Sequence, residues 1–89
     1  MKYEVHYTKC FDKDFDSCIK RNLDMPLLKK VMLMLQDGKK LPAKYKDHTL
    51  KGAYNGYREC HVQPDWLLVY KIHSSMIIFN RTGSHSDLF

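Results

Sequence analysis

His48, His61, Asp65 and His85 fall in the second half of the chain, and Arg81 and Phe89 flank the last of them at four positions on either side. An unperturbed imidazole titrates at roughly pH 6.5, so one histidine can give up a proton while another takes one near neutrality. RNA can be cut by its own 2′-OH attacking the adjacent phosphate. That step asks for a base at the 2′ oxygen, an acid at the departing 5′ oxygen and positive charge beside phosphorus. These residue types supply all three, and an aromatic ring adds a surface on which a base stacks. A single histidine at a strand end is ordinarily a surface or core residue. Here three stand at the ends of expected elements, where sites on rigid scaffolds are built, in company with Asp65 and Arg81.

Metal coordination and thiol chemistry are the competing uses of such residues, and the spacing disfavours both. Cys60 and His61 are neighbours in a segment that alternates as a strand, so their side chains point to opposite faces. The sequence has no H-x-x-x-H, no C-x-x-C and no carboxylate cluster beside the histidines. Cys60 also lacks the loop, helix start or glycine context that activates a thiol. The site is therefore expected to use neither metal nor cofactor. His6 and His73 read as surface residues. The three cysteines read as reduced, partly buried thiols, since Cys10 and Cys18 on one helix would be about 12 Å apart by rise alone, beyond disulfide reach.

The elements that must position the candidates follow from periodicity. Lys2 to Tyr7 alternates, with Tyr3, Val5 and Tyr7 on one face, and reads as a strand. Thr8 caps a helix whose apolar stripe is Phe11, Phe15, Cys18 and Ile19, with Asp12, Lys13, Asp14 and Asp16 facing outward. Asn22-Leu23-Asp24 breaks it. Asp24 and Pro26 open a second helix with Leu28, Val31, Met32 and Leu35 as its core stripe, ending at Asp37-Gly38. Met32 and Met34 read as gap-filling core residues. After a basic loop containing Pro42, strands are expected at His48–Lys51, Tyr57–Val62, Trp66–Ile72 and Met76–Arg81, separated by turns at Asn55-Gly56, Gln63-Pro64-Asp65 and His73-Ser74-Ser75. Trp66 and Tyr70 read as core aromatics and Arg58 as a structural or phosphate-contacting residue. The pattern predicts one α+β domain over residues 1–89, ordered β-α-α-β-β-β-β, in which a helical hairpin covers one face of a curved antiparallel sheet.

Composition bounds the partners. An apolar content of 44% is too high for a disordered chain. No run of residues approaches the length of a membrane span and Met1-Lys-Tyr-Glu lacks the apolar run of a signal peptide, so a cytoplasmic location and no membrane partner are expected. The net charge is +5, and the window from Lys29 to Lys51 accounts for all of it: seven lysines (29, 30, 39, 40, 44, 46 and 51) against Asp37 and Asp47. Such a cluster is either a solvated face or a polyanion footprint that releases counterions from a phosphate backbone. With the histidines beside it, nucleic acid is the favoured partner, and Lys29, Lys30, Lys39 and Lys40 are the expected contacts to it.

Three segments carry a resemblance. Tyr45-Lys-Asp-His-Thr-Leu-Lys-Gly52, the run from Gly56 to Tyr70 (GYRECHVQPDWLLVY) and Arg81-Thr-Gly-Ser-His-Ser-Asp-Leu-Phe89 resemble the YafQ branch of the RelE/ParE toxin superfamily, in order and over essentially the whole chain. The resemblance implies a RelE-like fold and a type II toxin that enters the ribosomal A site, cuts the mRNA there and is inhibited by a cognate antitoxin. It places the family's histidine of D-H-x-L-K-G on His48, the H-x-x-P-D pair on His61 and Asp65, and the terminal R-x-G-x-H-x-x-x-F pattern on Arg81, His85 and Phe89. On these positions the chemistry of the residues leads us to expect His85 as general acid, Asp65 with His61 as base, Arg81 and His48 at the scissile phosphate, and Phe89 against a base. Two alternatives keep the fold: a toxin that poisons a DNA topoisomerase, which has no need of this histidine set, and a silent RNA- or ribosome-binding module, in which only the lysines matter.

Overall fold

The computed structural model describes residues 2–89. Strand β1 (Glu4–Tyr7) leads into helix α1 (Lys9–Lys20) and helix α2 (Met25–Gln36). A 3-10 turn at Ala43–Tyr45 precedes the two-residue β2 (His48–Thr49), and a second at Gly52–Tyr54 precedes β3 (Arg58–Gln63). β4 (Trp66–His73), β5 (Met76–Gly83) and a single helical turn α3 (His85–Leu88) complete the order. The sheet runs β1-β5-β4-β3-β2.

The helix boundaries rest on side chains readable in the sequence. Thr8 accepts the Phe11 backbone N–H at 3.0 Å, and Asp24 accepts that of Leu27 at 3.2 Å. Asn22 takes the left-handed conformation that ends α1, at φ 56°. Gly38, at φ 73°, follows the α2 cap and lets the Lys39 N–H reach back to the Met34 carbonyl.

Four expectations need correction. The sheet is mixed: β2, β3, β4 and β5 pair antiparallel, but β1 pairs parallel to β5. A short turn forces antiparallel pairing, and no turn links β1 to β5. On α1, Ile19 is half exposed and Asp14 is turned inward. At about 100° per residue, Asp14 falls nearer than Ile19 to the buried stripe centred on Cys18. Cys10 is exposed, whereas Cys18 and Cys60 are buried. Finally, the strand expected at His48–Lys51 is only two residues long, and the terminal segment extends β5 to Gly83 and then forms α3.

The core lies between the hairpin and one face of the sheet, where Phe11, Cys18, Leu28, Val31 and Leu35 meet Cys60, Leu68, Tyr70, Ile77 and Phe79. Tyr70 reaches past it, its hydroxyl donating to Asp47 at 2.6 Å while Arg58 pairs with the same carboxylate. That pairing gives Arg58 a structural role. The opposite face carries a smaller cluster of Leu67, Val69 and Leu88, flanked by Leu50 and Tyr57. A domain covered on one face only leaves the other free to carry chemistry.

Candidate active site

Period-two alternation along β3 sends Cys60 and Val62 into the core, and Glu59 and His61 to the open face. The register continues that face across the sheet: His48 lies opposite Glu59, Glu59 opposite Val69, and Val69 opposite Arg81. His85 arrives from the start of α3. The three imidazoles form a row, with ring centroids 6.2 Å apart from His48 to His61 and 5.7 Å apart from His61 to His85.

Each ring is oriented by an acceptor at Nδ1. His48 donates to the Lys46 carbonyl at 2.6 Å, and His61 to the Pro64 carbonyl at 3.3 Å. A carbonyl only accepts, so the proton is on Nδ1 in both. Lys46 takes a left-handed backbone, φ 50°, beside this contact. Both Nε2 atoms point at one carboxylate, Glu59 Oε1, at 3.5 Å from His48 and 3.6 Å from His61. Glu59 is 5% exposed. One buried carboxylate thus stands between two imidazoles, within ion-pair distance of both.

His85 has a different partner. Asp65 Oδ1 accepts its Nδ1–H at 2.7 Å and its backbone N–H at 2.9 Å. Those two bonds, the backbone one first, hold the Asp65 carboxyl below the usual carboxylate range. Asp65 therefore stays ionised and fixes the ring, with Nε2 left for a substrate. This geometry does not suit Asp65 to the role of base.

The turn bearing His85 is pinned on three sides. Ser84 and Asp87 form a reciprocal capping box, with the Ser84 N–H donating to Asp87 at 2.9 Å and the Asp87 N–H to Ser84 at 3.2 Å. Leu88 is buried against Leu67 and Val69. Arg21, the residue that caps α1, grips Asp87 with both terminal nitrogens, at 2.6 and 3.2 Å. This pairing first, and then the Ser84 N–H, drives the Asp87 carboxyl far below its ordinary range. Gly83 leaves room for that carboxylate: a Cβ there would sit 2.9 Å from Asp87 Oδ2.

Arg81 is not free on the open face. Its Nε and Nη2 are held by Asp14 at 2.7 and 3.3 Å, and Asp14 also accepts the Thr82 N–H at 3.1 Å. Phe89 is 59% exposed and meets Tyr54 edge-on, with centroids 5.3 Å apart, and Tyr54 in turn meets Tyr57. Lys29, Lys30 and Lys39 line one shallow groove on the outer side of α2, across the sheet from the histidines; Lys40 follows Lys39 on an exposed loop. The fold thus gathers His48, His61, Asp65 and His85, and sets those lysines apart. Burial pushes the Cys60 thiol far up, so it is no nucleophile. Among the described residues no group of three or more His, Cys, Asp or Glu side chains is placed to hold a metal ion.

Glu59, Asp14 and the Arg21–Asp87 pair are the members that sequence reasoning missed. Two of them had a readable signal. Alternation puts Glu59 on the face of His61, and Ser84-x-x-Asp87 is a capping-box spacing.

The fold thus presents a row of oriented imidazoles and carboxylates, groups suited to proton transfer, on the open face of a small α+β sheet. The sequence profile of the family described as the bacterial toxin of type II toxin-antitoxin systems, YafQ, matches residues 3–89, and the chain belongs to that family. Its relatives include the mRNA interferase toxin YafQ of Escherichia coli, 44% identical over 87 residues that cover 97% of this chain and 95% of the relative. The toxin–antitoxin complex DinJ-YafQ of Escherichia coli superposes with a TM-score of 0.91 at 42% identity, covering 100% of this chain and 99% of that one. A metal-bound toxin from Helicobacter pylori superposes with the same score at 44% identity over all of both chains.

Proposed function

We propose that this chain cleaves mRNA in the A site of the translating ribosome by metal-independent acid–base catalysis, and that a cognate antitoxin silences it. The supporting observation is the imidazole row, in which the Nδ1 of each ring is engaged by the protein, the Nε2 atoms of His48 and His61 share the Glu59 carboxylate, and the Nε2 of His85 is left for the substrate. His85, fixed by Asp65, protonates the departing 5′ oxygen. His61, with Glu59 beside its Nε2, takes the 2′ proton in this reading, because Asp65 is engaged with His85. His48, paired with Glu59, stands beside the charge building on phosphorus. Arg81 keeps its third nitrogen, Nη1, for a phosphate oxygen while Asp14 holds the other two. Phe89 supplies the exposed ring on which a base of the codon stacks.

The metal-bound relative makes the metal question a direct one. Purified chain added to a translation extract should cut mRNA equally well with and without a chelator, and leave naked RNA intact. The products should carry 5′-hydroxyl and 2′,3′-cyclic or 3′-phosphate ends, the mark of 2′-OH attack. A 5′-phosphate end, or activity that the chelator abolishes and one metal restores, would refute the mechanism.

The DinJ-YafQ complex is the precedent for the partner. Because this chain carries a net charge of +5, the antitoxin's inhibitory segment is expected to be acidic and to lie over the histidine-bearing face. A complex that leaves His48, His61 and His85 open and undistorted would contradict that placement.

A further inference from the structure

The cleft beside His61 is assigned no role by the acid–base row. It has a volume of about 340 Å³ and is lined by Leu27, Lys44, Tyr45, Lys46, His61, Val62, Gln63 and Pro64. Its position follows from an irregularity in β3. Strict alternation would send Gln63 to the face of His61, but the register shifts between them, and Gln63 lies opposite Trp66 on the helix side. The shift turns the Gln63 amide away from the row and to the rim of this cleft. Leu27 reaches it from α2, and the two lysines come from the 3-10 turn and its left-handed exit at Lys46.

The lining separates by chemistry. Leu27, Val62 and Pro64 form an apolar wall of the kind on which a flat heterocycle packs. Gln63 offers one donor group and one acceptor at the rim, enough to read a base edge. Lys44 and Lys46 carry the positive charge, and Lys44 is steadied over the Tyr45 ring at 5.1 Å. His61 forms the wall shared with the catalytic row. Apolar wall, amide and paired cations, joined to a residue of the acid–base machinery, are the complement of one nucleotide.

The geometry points to this cleft as the subsite for the nucleotide flanking the scissile phosphate, with Gln63 reading its base and Lys44 and Lys46 holding its phosphate. The inference rests on the RNA-cleaving reading above, and two experiments keep the fates of the two apart. In the first, the isotope-labelled chain is titrated with each of the four nucleoside 3′-monophosphates and followed by amide NMR. Saturable shifts at Lys46, Val62 and Gln63, absent in Leu27→Trp, where the indole fills the cleft, are the expected result. Shifts confined to other surfaces, or none, overturn the subsite whether or not the protein cuts RNA.

In the second, cleavage in a translation extract is timed and mapped. Leu27→Trp, with a parent-like amide spectrum, should raise KM about tenfold with kcat within about twofold, the loss of one stacked base. Gln63→Ala should redistribute cuts among bases next to the cleaved bond, and Lys44→Gln should raise KM and reduce its salt dependence. Parent-like KM and an unchanged distribution of cuts in these variants would overturn the subsite. Cleavage that survives His85→Ala would instead sink the catalytic reading and leave the first experiment to decide the cleft.

Discussion

His85 is the residue whose loss should cost most, because it alone among the three histidines is held by a carboxylate through both ring and backbone. Removing a general acid costs roughly 10²–10⁴ in rate. His85→Ala should therefore abolish growth arrest on expression while ribosome and antitoxin binding persist, which co-sedimentation and pull-down would show. Asp65→Asn removes the charge but keeps an acceptor for the His85 backbone N–H. Its cleavage rate should fall less than that of His85→Ala, with KM unchanged; equal losses would make Asp65 a direct proton carrier. Deleting Phe89 should be milder still, since stacking on one base is worth about 1–3 kcal/mol. Inside the molecule, Thr82 accepts the buried Trp66 indole N–H at 3.0 Å and donates to the Leu67 carbonyl at 2.8 Å. Thr82→Val strands that N–H and should cost about 1–3 kcal/mol in urea unfolding.

A four-residue helix cannot stand by itself, because nucleation costs more than its few hydrogen bonds return. Helix α3 persists because Ser84, Leu88 and Arg21 hold it, and Arg21 makes α1 a splint for the segment bearing His85. An exposed ion pair adds little to global stability as a rule, but a bidentate guanidinium–carboxylate pair fixes geometry. Arg21→Gln and Asp87→Asn should each lower kcat about tenfold through misplacement of His85, and the double variant should be no worse than either. Additive losses would show that the two residues act separately. The pH dependence has a definite sign. Asp87 is depressed in the folded state, so its contribution is present above the ordinary aspartate value near pH ~4. It is lost as the pH falls from there through the lower folded value. Parent and Asp87→Asn should thus converge in stability on acidification, as paired thermal melts would reveal.

Across the whole molecule, the charge divides between two places. Lys29, Lys30 and Lys39 lie on the helix side, and Lys44 and Lys46 stand at the rim near His61. The helix-side group lines a different groove from the one beside His61, and a broad phosphate array such as ribosomal RNA suits such a spread of charge. Replacing Lys29, Lys30, Lys39 and Lys40 by glutamine should weaken ribosome association and flatten its dependence on salt, with the amide spectrum unchanged. Parent-like binding with the parent salt slope would reduce these lysines to a solvated face. No helix among the described residues is long and apolar enough to cross a membrane.

What the sequence determined by itself was whatever depends on neighbours in the chain. Thr8, Asp24 and Gly38 mark helix ends through contacts within a few residues, and alternation along β3 already separates Cys60 from His61. The order of the elements up to β5 was legible for the same reason, and the three histidines were visible as residues at element ends but not as a row. Tertiary structure decided what depends on partners far apart in sequence. The direction of β1 was open because no turn ties it to β5. Asp14 looked like a surface acid until β5 brought Arg81 and the Thr82 N–H to it across more than sixty residues. Asp65 has the composition of a base, and only the docking of α3, through Arg21 and Leu88, made it the anchor of His85. Such roles are set by which groups meet in space, and the charge and size of a residue alone do not carry that information.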